Sequence, residues 1–182
     1  VLRCPADFDK KDRRVQITGE GYFEVTRQGG SEFTVNTGAC DIVVKGTKFN
    51  VAAYADDDFV QATLLEGKIE FRHAGGAVEM NPGEQVYMLK SSGCLTKSRV
   101  NPEQSNAWTE GRIEYDRITL GELLPRLARH YDVDFHLQTD SLAGKNLRIS
   151  VRNGETVDDV MAALSRIIRV DITVDGRNIY IR

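Results

Sequence analysis

Cysteine, histidine and tryptophan are scarce in these 182 residues, with 3, 3 and 1 copies. Cys4, Cys40 and Cys94 form no CxxC pair, so they spell neither a disulfide framework nor a zinc site, and at most one pair bridges. Cys40 stands in an apolar run and reads as a small buried hydrophobe. His73, His130 and His136 lie apart, without the spacing of a metal-binding helix or strand. No GxSxG, Walker or Rossmann fingerprint is present, and Gly19-Glu20-Gly21 precedes a strand pattern rather than a helix. Asp56-Asp57-Asp58 lacks the later glycine and glutamate of a calcium loop and reads as a solvated turn. Positive charge is not in excess, with 24 Lys and Arg against 27 Asp and Glu, so no basic field is available to hold a nucleic acid. There is no run of about 18 apolar residues, so no membrane span reads from the chain. The first residue is Val1 rather than Met and no signal peptide follows it, so the chain is expected to be part of a longer protein. These absences point away from an enzyme, and no metal or cofactor is expected.

What is present is enough apolar residue, 41%, to build a core without staples. From residue 14 to 96 the pattern is short alternating runs, at 15–17, 22–25, 33–35, 41–45, 48–53, 61–65, 68–72, 77–80 and 85–89. Between them stand turn sequences: Gly19-Glu20-Gly21, Gly29-Gly30, Glu66-Gly67, Gly75-Gly76 and Asn81-Pro82-Gly83. Residues 1–97 are therefore expected to form an all-β domain, a sandwich or a β-solenoid-like fold. Residues 98–107, polar and proline-bearing, read as a linker.

Residues 108–182 follow another grammar. Thr119 with Glu122 is a capping box, and Leu120, Leu123, Leu124, Leu127 and Tyr131 then fall on one helical face, with a bend expected at Pro125. The design recurs at Thr156 with Asp159, ahead of Val160, Met161, Leu164 and Ile168. Strand patterns precede each helix at Ile113 and Tyr115, then Ile149 and Val151, and follow each at 133–137 and 170–174. A last strand, 178–182, comes after the turn Asp175-Gly176. The region is expected to be one α+β domain built from two β-α-β repeats.

One bond invites a chemical reading. Gly46-Thr47 sets a hydroxyl beside an unhindered carbonyl, the arrangement in which a strained turn permits an N-to-O acyl shift and self-cleavage. A plain glycine turn is the competing reading.

Five segments, in order, resemble the FecR-like anti-sigma factors: 19–25 (GEGYFEV), 33–37 (FTVNT), 44–51 (VKGTKFNV), 64–69 (LLEGKI) and 81–85 (NPGEQ). Trp108-Thr109-Glu110-Gly111-Arg112-Ile113 is similar to the opening of that family's C-terminal domain, itself similar to the short N-terminal domain of secretins and TonB-dependent receptors. Gly21 stands where the family has alanine, and Lys45 where it has an apolar residue. The resemblance implies the periplasmic part of a single-pass inner-membrane regulator whose span and sigma-binding segment are absent here. It also implies two partners: the N-terminal signalling domain of a TonB-dependent outer-membrane transporter, and an extracytoplasmic-function sigma factor reached through the absent cytoplasmic segment.

Docking by strand addition is expected at sheet edges carried by Arg148, Ser150 and Arg152, or by Asn178, Tyr180 and Arg182. Arg126 and Arg129, on the polar face of the first helix, are expected to meet an acidic partner. The rival reading is a carbohydrate-binding or accessory β module of a nutrient-uptake system. That rival needs Tyr22, Tyr54 and Tyr87 gathered on one exposed face.

Overall fold

Alternation puts every second side chain on one face, and a run of four to eight such residues has an apolar face to bury. In the computed structural model, which describes residues 1–6, 8 and 13–182, each expected run between residues 14 and 96 is a strand. The chain divides into two units, Val1–Asn106 and Ala107–Arg182.

The first unit holds β1 (Leu2–Arg3), β2 (Arg13–Ile17), β3 (Gly19–Val25), β4 (Phe33–Asn36), β5 (Asp41–Val44), β6 (Thr47–Ala53), β7 (Phe59–Glu66), β8 (Ile69–His73), β9 (Gly76–Met80), β10 (Glu84–Leu89) and β11 (Leu95–Arg99). One sheet has the order β1-β2-β4-β5-β8-β9 and the other β11-β10-β7-β6-β3. All neighbours are antiparallel except β2 and β4, which run parallel. A single core takes Ile42, Val44, Ile69 and Phe71 from the first sheet and Phe49, Val51, Leu64 and Val86 from the second. Each such side chain contributes roughly 1.5–3 kcal/mol on burial.

Five glycine-bearing connections share one task. The chain passes from one sheet to the other at Gly19, at Gly29-Gly30, at Gly46, at Gly67 and at Asn81-Pro82-Gly83. Hairpins within a sheet lie between these crossings, as for β6 with β7 and β8 with β9. The glycine motifs are thus the corners where the backbone leaves one layer for the other.

The segment expected as a linker, residues 98–107, is structured. Ser98 pairs with Gln85 at the end of β11, and the Val100 N–H donates to the Gly83 carbonyl at 2.9 Å. Pro102–Glu110 then forms a 3-10 helix, in which Ser105 Oγ donates to the Pro102 carbonyl at 2.6 Å. Its polar side chains serve turn bonds, which composition does not distinguish from those of an open tether.

The second unit holds β12 (Ile113–Thr119), α1 (Leu120–Tyr131), β13 (Asp134–Leu137), β14 (Asn146–Val151), α2 (Val157–Ile168), β15 (Ile172–Asp175) and β16 (Asn178–Ile181). Both capping boxes form as the sequence implies. Thr119 Oγ1 accepts from the Glu122 N–H, while the Glu122 carboxylate accepts from the Thr119 N–H at 3.0 Å. Thr156 and Asp159 repeat both bonds. Both helices also end on left-handed caps, Asp132 and Arg169. α1 runs through Pro125 to Tyr131 as one helix.

The strands flanking each helix do not pair with each other. β12 pairs antiparallel with β14. In the other sheet β16 lies between β13, to which it runs parallel, and β15, to which it runs antiparallel. The two β-α-β copies therefore run in opposite senses in both sheets. The helices bury Leu120, Leu123, Leu127, Val160 and Leu164 in a core shared with Ile113, Val151, Ile179 and Ile181.

Candidate functional site

The Gly46 crossing is the first candidate. Thr47 is only 3% exposed, and its hydroxyl donates to the Lys68 carbonyl at 3.0 Å, tying this crossing to the one at Gly67. Space is the reason for both glycines. A Cβ on Gly46 would stand 3.0 Å from that of Arg27, and one on Gly67 would stand 2.5 Å from the Gly46 carbonyl oxygen. Gly67 also has φ +94°, whereas neither Gly46 nor Thr47 has a positive φ. The hydroxyl proton points at a carbonyl oxygen, which is no base, so the arrangement is a clamp between two corners. A cavity of about 410 Å³ lies alongside, rimmed by Arg27, Lys45 and Lys68 and by Glu32, Glu70 and Glu79.

Elsewhere in this unit the buried side chains of Asn50 and Thr63 are hydrogen-bonded, whereas the Nε and Nη1 atoms of Arg13 are buried with no hydrogen-bond partner among the described residues. Asn50 donates to Glu20 at 2.7 Å, the Tyr54 hydroxyl donates to the same carboxylate at 3.1 Å, and Thr63 accepts from Gln85 at 3.1 Å. Cys40 is 5% exposed and beside Thr37, and burial pushes its thiol up to about 11, which keeps it protonated and unreactive. Tyr22 is on β3, Tyr54 follows β6, and Tyr87 of β10 stacks on Phe59 at 4.6 Å. Among the described residues no group of three or more His, Cys, Asp and Glu is placed to hold a metal.

In the second unit the eight expected contact residues fall into three groups. Arg126 and Arg129 lie half-buried on α1, with the Arg126 guanidinium 5.3 Å from the centre of the Tyr115 ring and donating to the Glu122 carbonyl. Arg148 and Ser150 are exposed on β14, where Arg148 meets Asp116 at 3.2 Å, and Arg152 follows, its N–H donating to Glu155. β14 pairs with β12 alone, so it is an edge. The third group requires a correction. Asn178 and Tyr180 belong to β16, the central strand, paired on both sides, so they and the adjoining Arg182, whose backbone pairs with Asp171, offer no edge. Tyr180 instead stacks on His136 at 4.8 Å, and His136 Nε2 lies 2.9 Å from Asn178 Oδ1, forming a polar cluster on the outer face of that sheet.

The edges of this sheet are β13 and β15. An open groove of about 590 Å³ runs between β13 and α1, lined by Gly121, Leu124, Pro125, Ala128, Phe135 and Leu137. Sequence reading missed it. The available signal was the pair Gly121 and Pro125, two poor helix formers in one short helix.

A family model described as the FecR protein matches residues 2–70, and one described as FecR, C-terminal, matches residues 112–181. The chain belongs to the FecR family. Each FecR match lies within one of the two units, and the resemblance read from the glycine motifs is thereby shown. Two crystal structures of a candidate anti-sigma factor from Parabacteroides distasonis share the fold. The first has a TM-score of 0.91 at 24% identity, covering 100% of this chain and 85% of that one. The second has a TM-score of 0.89 at 23% identity, covering 99% and 84%. No curated protein matches. FecR membership makes the chain part of a regulator. No helix among the described residues is long and apolar enough to cross a membrane.

Proposed function

We propose that this chain is the periplasmic sensor region of a transmembrane anti-sigma factor. In this reading the N-terminal signalling domain of a TonB-dependent outer-membrane transporter engages it, and the contact changes the restraint on an extracytoplasmic-function sigma factor. The observation that carries the reading is that both FecR matches, 2–70 and 112–181, are present in one chain and in that order. The span and the sigma-binding segment belong to parts of the protein outside these residues.

The physical requirement is modest. A transporter domain that binds one state of the sensor tenfold more tightly than another shifts their balance by about 1.4 kcal/mol. Such contacts use polar and aromatic side chains that reach solvent, and the half-buried Arg126, Arg129, Asn178 and Tyr180 with the exposed Arg148, Ser150, Arg152 and Arg182 are the proposed contributors. The carbohydrate-binding reading is weaker, because Tyr22, Tyr54 and Tyr87 lie on separate elements and the Tyr54 hydroxyl is bonded to Glu20.

The test is binding of this chain to the isolated N-terminal domain of the transporter encoded beside it. Binding is expected, weakened about five- to thirtyfold by Tyr180→Ala or Arg126→Ala, the range for an ordinary interface residue. No binding at high micromolar concentration overturns the proposal.

A further inference from the structure

β13 pairs with β16 on one side only. The Asp134 N–H donates to the Arg177 carbonyl and the Gln138 N–H to the Ile181 carbonyl, at 2.8 and 3.0 Å. Backbone groups alternate along a strand, so those of Phe135 and Leu137 are directed away from β16, toward the open edge. That edge forms one wall of the groove, and α1 forms the other.

The helical wall is unusual for its composition. Pro125 has no N–H to return to the Gly121 carbonyl, and in a helix interior it costs about 3 kcal/mol against alanine. Gly121 has a packing reason, since a Cβ there would meet Ala143 at 3.3 Å. Pro125, half-buried, lines the groove with Gly121 and Ala128 and keeps the wall low and apolar. Local rules of helix composition are broken most often at functional surfaces.

The strand that β13 already holds indicates what its open edge accepts. β16 alternates, with Ile179 and Ile181 buried beneath the helices and Asn178 and Tyr180 outside. A cation precedes it, Arg177, paired with Asp132 at 2.7 Å. At the same end of β13 the groove carries a second exposed carboxylate, Asp134.

We propose that the groove between α1 and β13 receives an extended strand of a different polypeptide, added to the free edge of β13. The strand's alternate apolar side chains lie against Leu124, Pro125 and Ala128, and it places a lysine or arginine against Asp134. The proposal rests on the regulatory reading only in taking the occupant to be another protein.

The test uses the whole chain, labelled with nitrogen-15, and two probes. One is an acetylated synthetic peptide copying residues 177–182, which has the alternating apolar pattern and a cation at each end; the other is the transporter's N-terminal domain. Both are expected to shift and protect from exchange the amides of Phe135 and Leu137. Leu137→Pro removes an N–H directed away from β16, the kind of substitution an edge strand tolerates, and is expected to abolish binding with the fold retained. Asp134→Lys, at an exposed position, is expected to weaken binding at least tenfold and serves if the proline variant does not fold.

Wild-type binding by both variants overturns the proposal, as do shifts confined to other surfaces or no response to either probe at millimolar concentration. Self-association of the free chain that Leu137→Pro abolishes also overturns it, because the occupant is then a second copy. Failure of the transporter domain alone, with the peptide still seated on β13, overturns the transporter reading and supports this one. Transporter binding that ignores both variants does the reverse.

Discussion

Replacing Gly67 with alanine probes the corner where two sheet crossings meet. Two costs arise. At φ +94° a residue with a Cβ sits in the left-handed region, a penalty of about 1–2 kcal/mol. The new Cβ would also stand 2.5 Å from the Gly46 carbonyl oxygen and 2.9 Å from Thr47 Oγ1. Contacts that close force backbone to move, at about 1–3 kcal/mol for overpacking. Gly38 separates the two terms, since it has φ +85° and nothing within 4 Å of its would-be Cβ. Gly38→Ala should therefore lose about 1–2 kcal/mol and Gly67→Ala about 2–5 kcal/mol. With a urea slope of about 2 kcal/mol per molar, the excess is a midpoint shift of about 0.5–1.5 M. Unfolding of this unit is best followed by the amide NMR signals of β6 and β7, because the single tryptophan, Trp108, and three of the six tyrosines, Tyr115, Tyr131 and Tyr180, belong to the other unit. Equal losses in the two variants would refute the account of the crossings as mutually packed.

Thr119→Ala and Thr156→Ala should each destabilise the second unit by about 1 kcal/mol in denaturant titrations, the usual worth of an N-cap. Hydrogen bonds from Thr156 hold the Asp159 carboxyl below its ordinary value of 3.8, so this contribution is present above about pH 4 and is lost as pH falls through the lowered value. The difference between wild type and Thr156→Ala should accordingly shrink toward pH 3, and an undiminished difference there would count against the box. Iodoacetamide at pH 8 should label Cys4 and Cys94 in the native chain and reach Cys40 only in denaturant, as mass spectrometry would show. On a denaturing gel the chain should run as one band near 20.3 kDa, because the Thr47 hydroxyl is committed to the Lys68 carbonyl; two fragments split after Gly46 would show that the clamp opens.

The strands and caps were legible because they are local. A period of two reports a half-buried strand whatever lies beside it, and Thr119 with Glu122 needs only its own backbone. The glycine corners at Gly46 and Gly67 were visible as turns, but their exchange of the chain between sheets was not, since the steric cause is each other. The place of β16 was hidden for the same reason. Its alternation, Asn178 outward and Ile179 inward, is that of an edge and of a central strand alike, and only the remote β13 decides between them. Reading the final strand as an edge therefore placed Asn178, Tyr180 and Arg182 at a border they do not occupy.

That interior seat bears on how the second unit acquires its shape. The parallel pairing of Asp134 with Asn178 closes a loop that encloses the entire second copy, and the hairpin with β15 draws on that copy alone. Neither half can complete its own sheets, since excising either copy strips β12 or β14 of its one partner and removes an edge strand from beside β16. Assembly should proceed as a single all-or-none event, with slow long-range closure setting its pace, rather than as two small modules condensing in turn.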